Sequence, residues 1–289
     1  MPILTVKDLH KSYRKGFIPK STQVLKGVNF SLEAASVTGF LGGNGAGKTT
    51  TIKCLLQLVF ADHGEVLFFD QQPLSPEVKK RIGFLPERPY FYEYLSGIEF
   101  LKFYGEISLQ KMATSELNER IHILLKKVDL LHAKDRKLRT YSKGMLQKIG
   151  LAQALIHRPE FIILDEPMAG LDPDGRFYIS EIVKEVASEG TTVFFSSHLL
   201  NDVENLCDNL VVLKQGQVTF EGQTLDFVNQ MGPSSTIRFL NQGLMSERRV
   251  KSIEEVNVEL KSILDQGGQV VEVRHDRNLE EAFVKWGLR

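Results

Sequence analysis

The chain has 289 residues, which is enough for one or two domains with a sizeable hydrophobic core. Hydrophobic residues make up 42% and charged residues 25%, which is ordinary for a soluble globular protein. The 36 basic and 36 acidic side chains balance, which argues against a dedicated nucleic-acid surface and leaves room only for a local basic patch.

The two cysteines, Cys54 and Cys207, lack the spacing of a metal site and are expected to be reduced thiols of a cytosolic protein. No apolar run reaches the roughly 18–20 residues that cross a bilayer. The N-terminus has charges too early for a signal peptide and is predicted to be a strand. If the protein serves a membrane, we expect it to do so from the cytoplasm through another polypeptide.

Residues 3–70 combine alternating, strand-like segments with one strand–loop–helix unit, VTGFLGGNGAGKTTTIKCLLQLV. A short buried strand begins at Ile82, and helical stretches with an apolar spacing of about 3.6 residues follow it. A further amphipathic helix begins after residues 141–145 and is expected to run until Pro159 stops it.

Two later apolar runs, FIILDEP and TTVFFSSH, are typical of central strands in a parallel sheet that is buried on both faces. LVVLKQGQVTFEG is predicted to be a hairpin that turns at Gln215 and Gly216. Strands that alternate with helices indicate an α/β sheet with right-handed crossovers. Residues 226–289 carry no catalytic-looking constellation, and with their closing amphipathic stretch LEEAFVKWG they predict a small α+β extension.

The strongest single motif is GGNGAGKT at residues 42–49, which matches G-x-x-x-x-G-K-[ST] between a predicted strand and a predicted helix. Its glycines allow backbone conformations that a β-carbon disfavours, so the loop amides can point at phosphate oxygens. Lys48 would reach the β- and γ-phosphates, and Thr49 would ligate Mg²⁺. The predicted nucleotide-binding residues of this phosphate loop are Gly42, Gly43, Asn44, Gly45, Ala46, Gly47, Lys48, Thr49 and Thr50.

Asp165 and Glu166 end the FIILDEP strand, at the edge of an α/β sheet where ligands bind. We expect Asp165 to hold Mg²⁺, directly or through water, and Glu166 to polarise a water for attack on the γ-phosphate. His198 ends another predicted strand. A lone histidine is more often structural than catalytic, but its place on the same edge favours a contact with the γ-phosphate and the attacking water.

A second turn suited to an anion is YSKGM at residues 141–145, where a helix is about to begin. In the order GGNGAGKTT, LPE, YSKGM, FIILDEP, AGLD and SSH, the motifs resemble those of the ATP-binding subunit of ATP-binding-cassette (ABC) transporters. The resemblance covers about residues 1–225. It implies an α/β P-loop NTPase cassette with an antiparallel β subdomain and a helical subdomain at about residues 88–158, followed by the α+β extension at 226–289.

The resemblance also implies how the second turn is used. Two cassettes would face each other head to tail, and the signature turn of one would close over the ATP held by the other. YSKGM keeps Ser142 and Gly144 of the usual signature Leu-Ser-Gly-Gly-Gln, and Lys143 brings an added positive charge. Asp172 in AGLD matches the segment that touches across that interface, and Tyr13 stands where the family stacks an aromatic residue on the adenine.

Glu87 stands where the family usually has a glutamine that senses Mg²⁺ and links to the transmembrane partner. A carboxylate can still ligate the ion or its water, but its negative charge is expected to raise the pKa of Asp165 or Glu166. Four aromatic residues follow it: Tyr90, Phe91, Tyr92 and Tyr94. They either belong to the core or line a groove that receives a cytoplasmic helix of the membrane subunit.

The predicted function is therefore an ATPase subunit, peripheral to the cytoplasmic face of a membrane, that uses ATP and Mg²⁺ to close a dimer and drive a separate permease. We expect a homodimer and no nucleic-acid partner. The tail resembles that of exporter ATPases whose permeases are separate six-helix proteins. An import ATPase and a soluble ABC ATPase acting on nucleic acid or ribosomes are the alternatives, and the latter usually carries two cassettes or a coiled-coil insertion.

Overall fold

A computed structural model of the chain describes residues 2–15, 20–109, 112–204, 206–229, 234–241, 244–250 and 253–276. The chain divides into two compact units, residues 1–221 and residues 222–289. The predicted closing stretch LEEAFVKWG lies outside the described residues. In the part of the chain that the structure describes, no helix is both long and apolar enough to span a bilayer.

The strands of the described residues are β1 (Pro2–Lys15), β2 (Lys20–Glu33), β3 (Val37–Leu41), β4 (His63–Phe68), β5 (Gln72–Pro73), β6 (Ile82–Leu85), β7 (Phe161–Leu164), β8 (Thr192–Ser197), β9 (Asn209–Lys214), β10 (Gln217–Gln223), β11 (Ser234–Asn241), β12 (Leu244–Val250) and β13 (Gln269–Asp276). The α-helices are α1 (Lys48–Leu55), α2 (Pro76–Lys79), α3 (Gly97–Ser108), α4 (Thr114–Lys127), α5 (Lys143–Leu155), α6 (Pro173–Ser188), α7 (Leu200–Glu204), α8 (Thr224–Asn229) and α9 (Ile253–Asp265). Two short 3₁₀ helices span Leu131–Ala133 and Leu138–Thr140.

The central sheet has six strands in the order β10-β9-β3-β8-β7-β6. Strands β6, β7, β8, β3 and β9 run parallel, and β7 and β8 are buried along their whole length, as the two apolar runs predict. The hairpin between β9 and β10 turns at Gln215 and Gly216, both with positive φ, so this prediction is confirmed. Because parallel strands end at one edge, the loops after β3, β6, β7 and β8 lie together there.

A four-stranded antiparallel sheet, in the order β2-β1-β4-β5, shares its core with the central sheet. The Phe30 ring of this sheet lies 5.7 Å from Phe40 and 5.8 Å from Phe194, both in the central sheet. Phe68 lies 6.4 Å from Phe161 in the same way. Large aromatic side chains fill part of the space between the two sheets, and their burial together with that of the aliphatic core residues stabilises this packing.

Helices α3, α4 and α5, which follow β6 and precede β7 in the sequence, pack against one another. Helix α3 begins with a capping box, in which Ser96 Oγ accepts from the Glu99 amide at 3.3 Å and the Glu99 carboxylate accepts from the Ser96 amide at 2.6 Å. Lys137 donates to the same carboxylate at 3.0 Å. Helices α3 and α4 approach so closely that a β-carbon on Gly105 would lie 2.4 Å from Leu117 Cδ1.

Helix α5 ends earlier than the sequence predicts. It begins after Ser142 and its last residue is Leu155, four residues before Pro159. Arg120 of α4 donates to the carbonyl of Leu155 at 2.7 Å and to that of Ile156 at 3.4 Å. These hydrogen bonds satisfy carbonyls that the end of a helix leaves unpaired, so a tertiary contact and not the proline fixes the helix end.

The second unit holds a three-stranded antiparallel sheet in the order β12-β11-β13, with α9 packed on it. Its core consists of Ile237, Phe239, Val250, Val256 and Ile263. An ion pair between Arg248 and Glu259 joins β12 to α9. The described part of this unit is thus α+β, as the alternating segments predict.

Candidate active site

The phosphate loop connects β3 to α1 and packs against Leu213 of β9 and Leu25 of β2. A β-carbon on Gly42 would lie 2.5 Å from the carbonyl oxygen of Leu213. Gly47, with φ 113°, caps α1, and a β-carbon there would lie 2.9 Å from Leu25 Cδ2. These two positions therefore need glycine, one because of a backbone contact and the other because of both its φ angle and its neighbour.

Hydrogen bonds hold the loop in shape. The Ala46 amide donates to the Gly43 carbonyl at 3.1 Å, and the Gly216 amide in the β9–β10 turn donates to the Ala46 carbonyl at 2.9 Å. Lys48 is buried, with 6% of its surface exposed, and its Nζ donates to the Gly42 carbonyl at 2.7 Å. The lysine that is predicted to contact phosphate is thus folded onto the loop that would surround that phosphate.

Asp165 follows β7 and is almost fully buried, with 2% of its surface exposed. Its Oδ1 accepts from Ser196 Oγ at 2.7 Å and from Thr49 Oγ1 at 3.3 Å. Burial is the main reason why the pKa of Asp165 is raised, the two hydroxyl hydrogen bonds oppose this rise, and the charges of Glu166 and Glu87 add to it. The expected effect of the Glu87 charge is therefore present, but it is smaller than that of burial.

Glu166 lies between a cation and an imidazole. Its Oε1 is 3.1 Å from Lys48 Nζ, and its Oε2 is 2.7 Å from His198 Nδ1. The residue has a positive φ of 51°, and its amide donates to Ser196 Oγ at 2.8 Å, which holds this unusual backbone conformation. Ser196 thus contacts both Asp165 and Glu166. The sequence analysis did not predict this role.

A cavity of about 380 Å³ opens above the phosphate loop. Its lining consists of residues 43–50 together with Val24, Glu87, Glu166, Ala169 and His198. The cavity therefore brings together the predicted phosphate-binding residues, the acid predicted to polarise water, and the histidine predicted to contact the γ-phosphate. The amino terminus of α1 and the Lys48 ammonium make its base suited to an anion.

Other predicted site residues lie outside this lining. Tyr13 is on β1, half-buried, with Lys11 Nζ 5.6 Å from its ring centroid, and Val24 of β2 lines the cavity instead. Ser142 caps α5 by accepting from the Met145 amide at 3.2 Å.

Asp172 caps α6 by accepting from the Gly175 amide at 2.9 Å. The signature turn and the AGLD segment lie side by side, since a β-carbon on Gly144 would be 3.9 Å from Leu171 Cδ2. Ser142, Gly144 and Asp172 do not line the cavity of the same chain, whereas Ala169 at the start of the AGLD segment does.

The oxygen atoms near the loop suit a hard cation. The hydroxyl of Thr49 and the carboxylate of Asp165 are 3.3 Å apart, and the carboxylate of Glu87 lies on the cavity lining. Mg²⁺ is usually held by one or two carboxylates together with substrate phosphates and water, rather than by a full set of protein ligands. Within the described ranges, no cluster of three or more histidine, cysteine or acidic residues is arranged to hold a metal alone.

Comparison with known proteins identifies the family. The family model described as ABC transporter matches residues 25–169, just over half of the 289 residues. An uncharacterized ABC transporter ATP-binding protein of Nostoc is 43% identical over 223 residues, 76% of this chain and 66% of the relative. Another, of Synechocystis, is 41% identical over 218 residues, 74% of this chain and 61% of the relative. The chain thus spans slightly less than two thirds of the length of these two relatives.

One relative has a more specific name. The linearmycin resistance ATP-binding protein LnrL of Bacillus subtilis is 32% identical over 263 residues, 89% of this chain and 82% of the relative. Among solved structures, cbiO1 from Clostridium perfringens, described as part of the ABC transporter complex cbiONQ, matches with a TM-score of 0.68 and 30% identity over 79% of this chain and 92% of its own. A dimeric ATP-binding cassette in a post-hydrolysis state, bound to ADP and Pi, matches with a TM-score of 0.69 and 25% identity over 76% of this chain and 98% of its own.

The fold neighbours are ABC cassettes, so the predicted P-loop NTPase fold with its antiparallel sheet and its helices is confirmed. The matched region contains the phosphate loop, the signature turn and both acids after β7. The chain therefore belongs to the ABC transporter family.

Proposed function

We propose that two copies of the chain hydrolyse ATP in a head-to-tail dimer and that this cycle powers a separate membrane permease in the direction of export. One observation carries the proposal. The phosphate loop, Glu166 and His198 line one cavity, whereas Ser142 and Gly144 of the signature turn stand outside it. A cassette of this family thus has half of a nucleotide site at each of two surfaces, and a second copy would complete both.

In this proposal Lys48 and Glu166 change partners when ATP binds. Lys48 Nζ contacts the neutral carbonyl of Gly42 at 2.7 Å and the carboxylate of Glu166 at 3.1 Å. Phosphate oxygens carry more charge than a carbonyl oxygen, so they compete well for the ammonium. Once Lys48 turns to the β- and γ-phosphates, the Glu166 carboxylate can accept a proton from the attacking water, while His198 holds its other oxygen in place.

Thr49 and Asp165 are our proposed protein ligands of Mg²⁺, with Glu87 contacting the ion or its water. When bound, the ion would neutralise charge that develops on the phosphate oxygens. The raised pKa of Asp165 supports this assignment, because a buried carboxylate beside two other acids is relieved by a divalent cation. Tyr13 of β1 remains our proposed adenine contact. Val24 lies on β2, the strand paired with β1, and lines the cavity.

Ser142, Gly144 and Asp172 are proposed to act on the ATP held by the partner copy. The hydroxyl of Ser142 and the amides at the start of α5 would close over the γ-phosphate, and Asp172 would meet the partner's surface. The solved dimeric cassette bound to ADP and Pi supports this arrangement, because it matches 76% of this chain.

The permease is proposed to dock at a groove of about 580 Å³ beside Glu87. Two walls form this groove: an aromatic wall at residues 87–94 and a wall at residues 138–147 that contains the start of α5. Tyr90 is 83% exposed and Tyr94 69% exposed. Large exposed aromatic residues around a groove are typical of a protein–protein contact, and Glu87 belongs to both this groove and the ATP cavity.

Export is the direction that we favour. The name of the relative LnrL, a linearmycin resistance protein, supports it, since removal of a toxic compound from the cell is one way to resist it. The description of cbiO1 as part of a complex supports a permease encoded as a separate chain. In this proposal the chain is peripheral to the cytoplasmic face of the membrane.

The experiment is co-expression of the chain with the multispanning membrane protein encoded by the neighbouring gene. We expect the two to copurify and the permease, reconstituted in lipid vesicles, to raise the ATPase rate, with Lys48→Ala abolishing activity while leaving copurification intact. Outward transport in vesicles with the ATPase outside would appear as uptake of substrate. A rate that ignores the permease but rises with DNA or ribosomes would contradict the proposal.

A further inference from the structure

A β-bulge lies beside the ATP cavity, where strands β1 and β2 pair. The pairing register shifts between Lys11 and Ser12 of β1, which leaves Val24 of β2 without an opposite residue. Val24 lines the cavity. Because a β-bulge changes the direction of the side chains around it, the backbone at this bulge decides where Tyr13, the next residue of β1, points.

Asp62 holds the β1 side of this bulge. Its Oδ2 accepts from the Ser12 amide at 2.5 Å, and its Oδ1 accepts from Lys11 Nζ at 2.9 Å. Its own amide donates to the His10 carbonyl at 2.8 Å. One residue thus contacts three consecutive residues of β1, and the last of them immediately precedes Tyr13.

The sheet itself does not hold β1 on this side. The pairing of β1 with β4 ends at His10, opposite His63, and beyond that point the described strand pairs of β1 are with β2 alone. Asp62 immediately precedes β4, and its carboxylate accepts from an amide that the ladder of β4 does not reach. An amide on the outer edge of a sheet otherwise depends on water, so Asp62 fixes a stretch that strand pairing leaves free.

The Lys11 ammonium connects Asp62 to the Tyr13 ring. The side chain of Lys11 is largely buried, with 15% of its surface exposed. Its Nζ lies 5.6 Å from the centroid of the Tyr13 ring, and a cation at about this distance is attracted by an aromatic ring. Since Asp62 fixes the ammonium, its contacts restrain both the backbone before Tyr13 and the Tyr13 ring.

Asp62 also lies on the segment that begins at the phosphate loop. Lys48 and Thr49 are the first residues of α1, and the chain continues from α1 through residues 56–62 to β4. In the proposed site, one continuous segment therefore carries two phosphate contacts at its start and the support of the adenine contact at its end.

We propose that Asp62 is a positioning residue for the nucleotide base: by holding the Ser12 amide and the Lys11 ammonium, it orients Tyr13 to stack on the adenine. The inference rests on the proposed function, because it concerns the adenine contact that we assign to Tyr13 there. Asp62 does not line the ATP cavity, and in this proposal it touches neither the base nor the phosphates.

The test compares the binding of ADP and of inorganic pyrophosphate, both with Mg²⁺, to the full chain by isothermal titration calorimetry. Pyrophosphate presents phosphate groups without a base. We expect Asp62→Ala to weaken ADP binding about fivefold, because part of the base stacking is lost, and to change pyrophosphate binding less than about twofold. A merely structural role for Asp62 would weaken the binding of both ligands.

Tyr13→Ala provides the reference for a double-mutant cycle. It should weaken ADP binding at least as much as Asp62→Ala does. In a chain that already carries Tyr13→Ala, Asp62→Ala should cause little further loss, because no ring is left to orient. Asp62→Asn keeps an acceptor for the Ser12 amide, so it should bind ADP more tightly than Asp62→Ala.

Glu65→Ala is the matched control. Glu65 is another exposed carboxylate that joins β4 to β1, with its Oε2 3.1 Å from Lys7 Nζ. Lys7 and Glu65 pair on the far side of His10 from Tyr13 in the strand register. Removal of an exposed ion pair has a small effect, and Glu65→Ala should change ADP affinity less than about twofold.

The failures can be told apart. If Tyr13→Ala weakens ADP binding but Asp62→Ala does not, or if Asp62→Ala weakens ADP and pyrophosphate equally, or if the two changes are additive, the inference is overturned and the Tyr13 contact stands. If Tyr13→Ala binds ADP as tightly as the wild type, the proposed adenine contact is overturned together with the inference. A wild-type chain that binds no ADP would overturn the proposed function itself.

Discussion

Glu166 is the residue on which the proposed chemistry depends. Its two carboxylate oxygens contact Lys48 at 3.1 Å and His198 at 2.7 Å, so the side chain is held from both sides. The backbone is held as well, by the hydrogen bond from its amide to Ser196. A carboxylate fixed in this way is ready to accept a proton, provided that phosphate takes over its contact with Lys48.

We predict that Glu166→Gln binds ATP at least as tightly as the wild type and hydrolyses it at least about a hundredfold more slowly, which is the usual size of a lost general base. The amide cannot accept the proton, and it no longer attracts the Lys48 ammonium away from phosphate. Phosphate release and fluorescent-nucleotide binding measure the two effects. Hydrolysis at the wild-type rate would exclude Glu166 from this role.

Asp165 gives a prediction in which stability and activity change in opposite directions. Its pKa is raised in the fold, so the charged form is disfavoured there. The stability linked to this group therefore falls as the pH rises above about 4, the pKa of the carboxyl in the unfolded chain. Asp165→Asn keeps an acceptor for Ser196 and Thr49 but removes the charge. We expect a higher melting temperature than that of the wild type at pH 7, together with loss of hydrolysis.

Thermal unfolding at pH 7 and at pH 4 tests the sign for Asp165→Asn. The gain should shrink at pH 4, because the raised pKa of Asp165 favours its uncharged form in the fold as the pH falls. A variant that is less stable than the wild type at pH 7 would show that the Asp165 charge is stabilising here, against this account.

Among single residues, the sequence predicted the two acids and the histidine of the site, but not Ser196, which contacts both acids. Asp165, Glu166 and His198 each follow an apolar strand, and such positions can be recognised in a sequence. Ser196 lies inside the buried strand β8, where the sequence alone suggests only a small side chain that packs in the core. Only the register of β7 on β8, which pairs Leu164 with Phe195, places Ser196 beside the first acid.

At the scale of elements, helix α3 shows how a helix start is stabilised by charge. The pKa of Glu99 is lowered to about 2, first by the hydrogen bond from the Ser96 amide and then by the one from Lys137. A lowered pKa means that this stabilisation is fully present above the unfolded value of about 4.5 and is lost as the pH falls towards 2.

We predict that Glu99→Gln lowers the melting temperature at pH 7 and has a smaller effect at pH 3. The glutamine can still accept from the Ser96 amide, but it loses the charge that faces Lys137 and the amino terminus of α3. Differential scanning calorimetry at the two pH values measures this, with Glu106→Gln at the far end of α3 as the control. An equal loss at both pH values would assign the effect to packing instead of charge.

The sequence predicted elements where one local signal dominates. The fully apolar runs predicted β7 and β8, and the Gln215–Gly216 dipeptide predicted the turn between β9 and β10. It did not predict the end of α5, because Arg120, distant in sequence, caps that helix. The sequence did not decide whether the aromatic residues after Glu87 belong to the core or line a groove, because the groove forms only where residues 138–147, distant in sequence, lie opposite them.

At the scale of the whole molecule, the phosphate loop and the signature turn, the two parts of our proposed nucleotide site, lie apart in the first unit. The cavity contains the phosphate loop, and the signature turn at Ser142 stands elsewhere, beside the AGLD segment. We propose that neither part completes a nucleotide site alone. In our account, this separation makes ATP hydrolysis depend on the meeting of two chains, and it makes closure of the dimer available to move a permease.

The most direct test of this account is the mass of Glu166→Gln in solution, measured by multi-angle light scattering with and without MgATP. We predict the 32.7 kDa monomer without nucleotide and twice that mass with it. Adding Ser142→Asp should prevent the dimer, because aspartate still caps α5 but puts a negative charge opposite the γ-phosphate. A Glu166→Gln chain that binds MgATP and stays monomeric at high concentration, with or without the permease, would contradict the account.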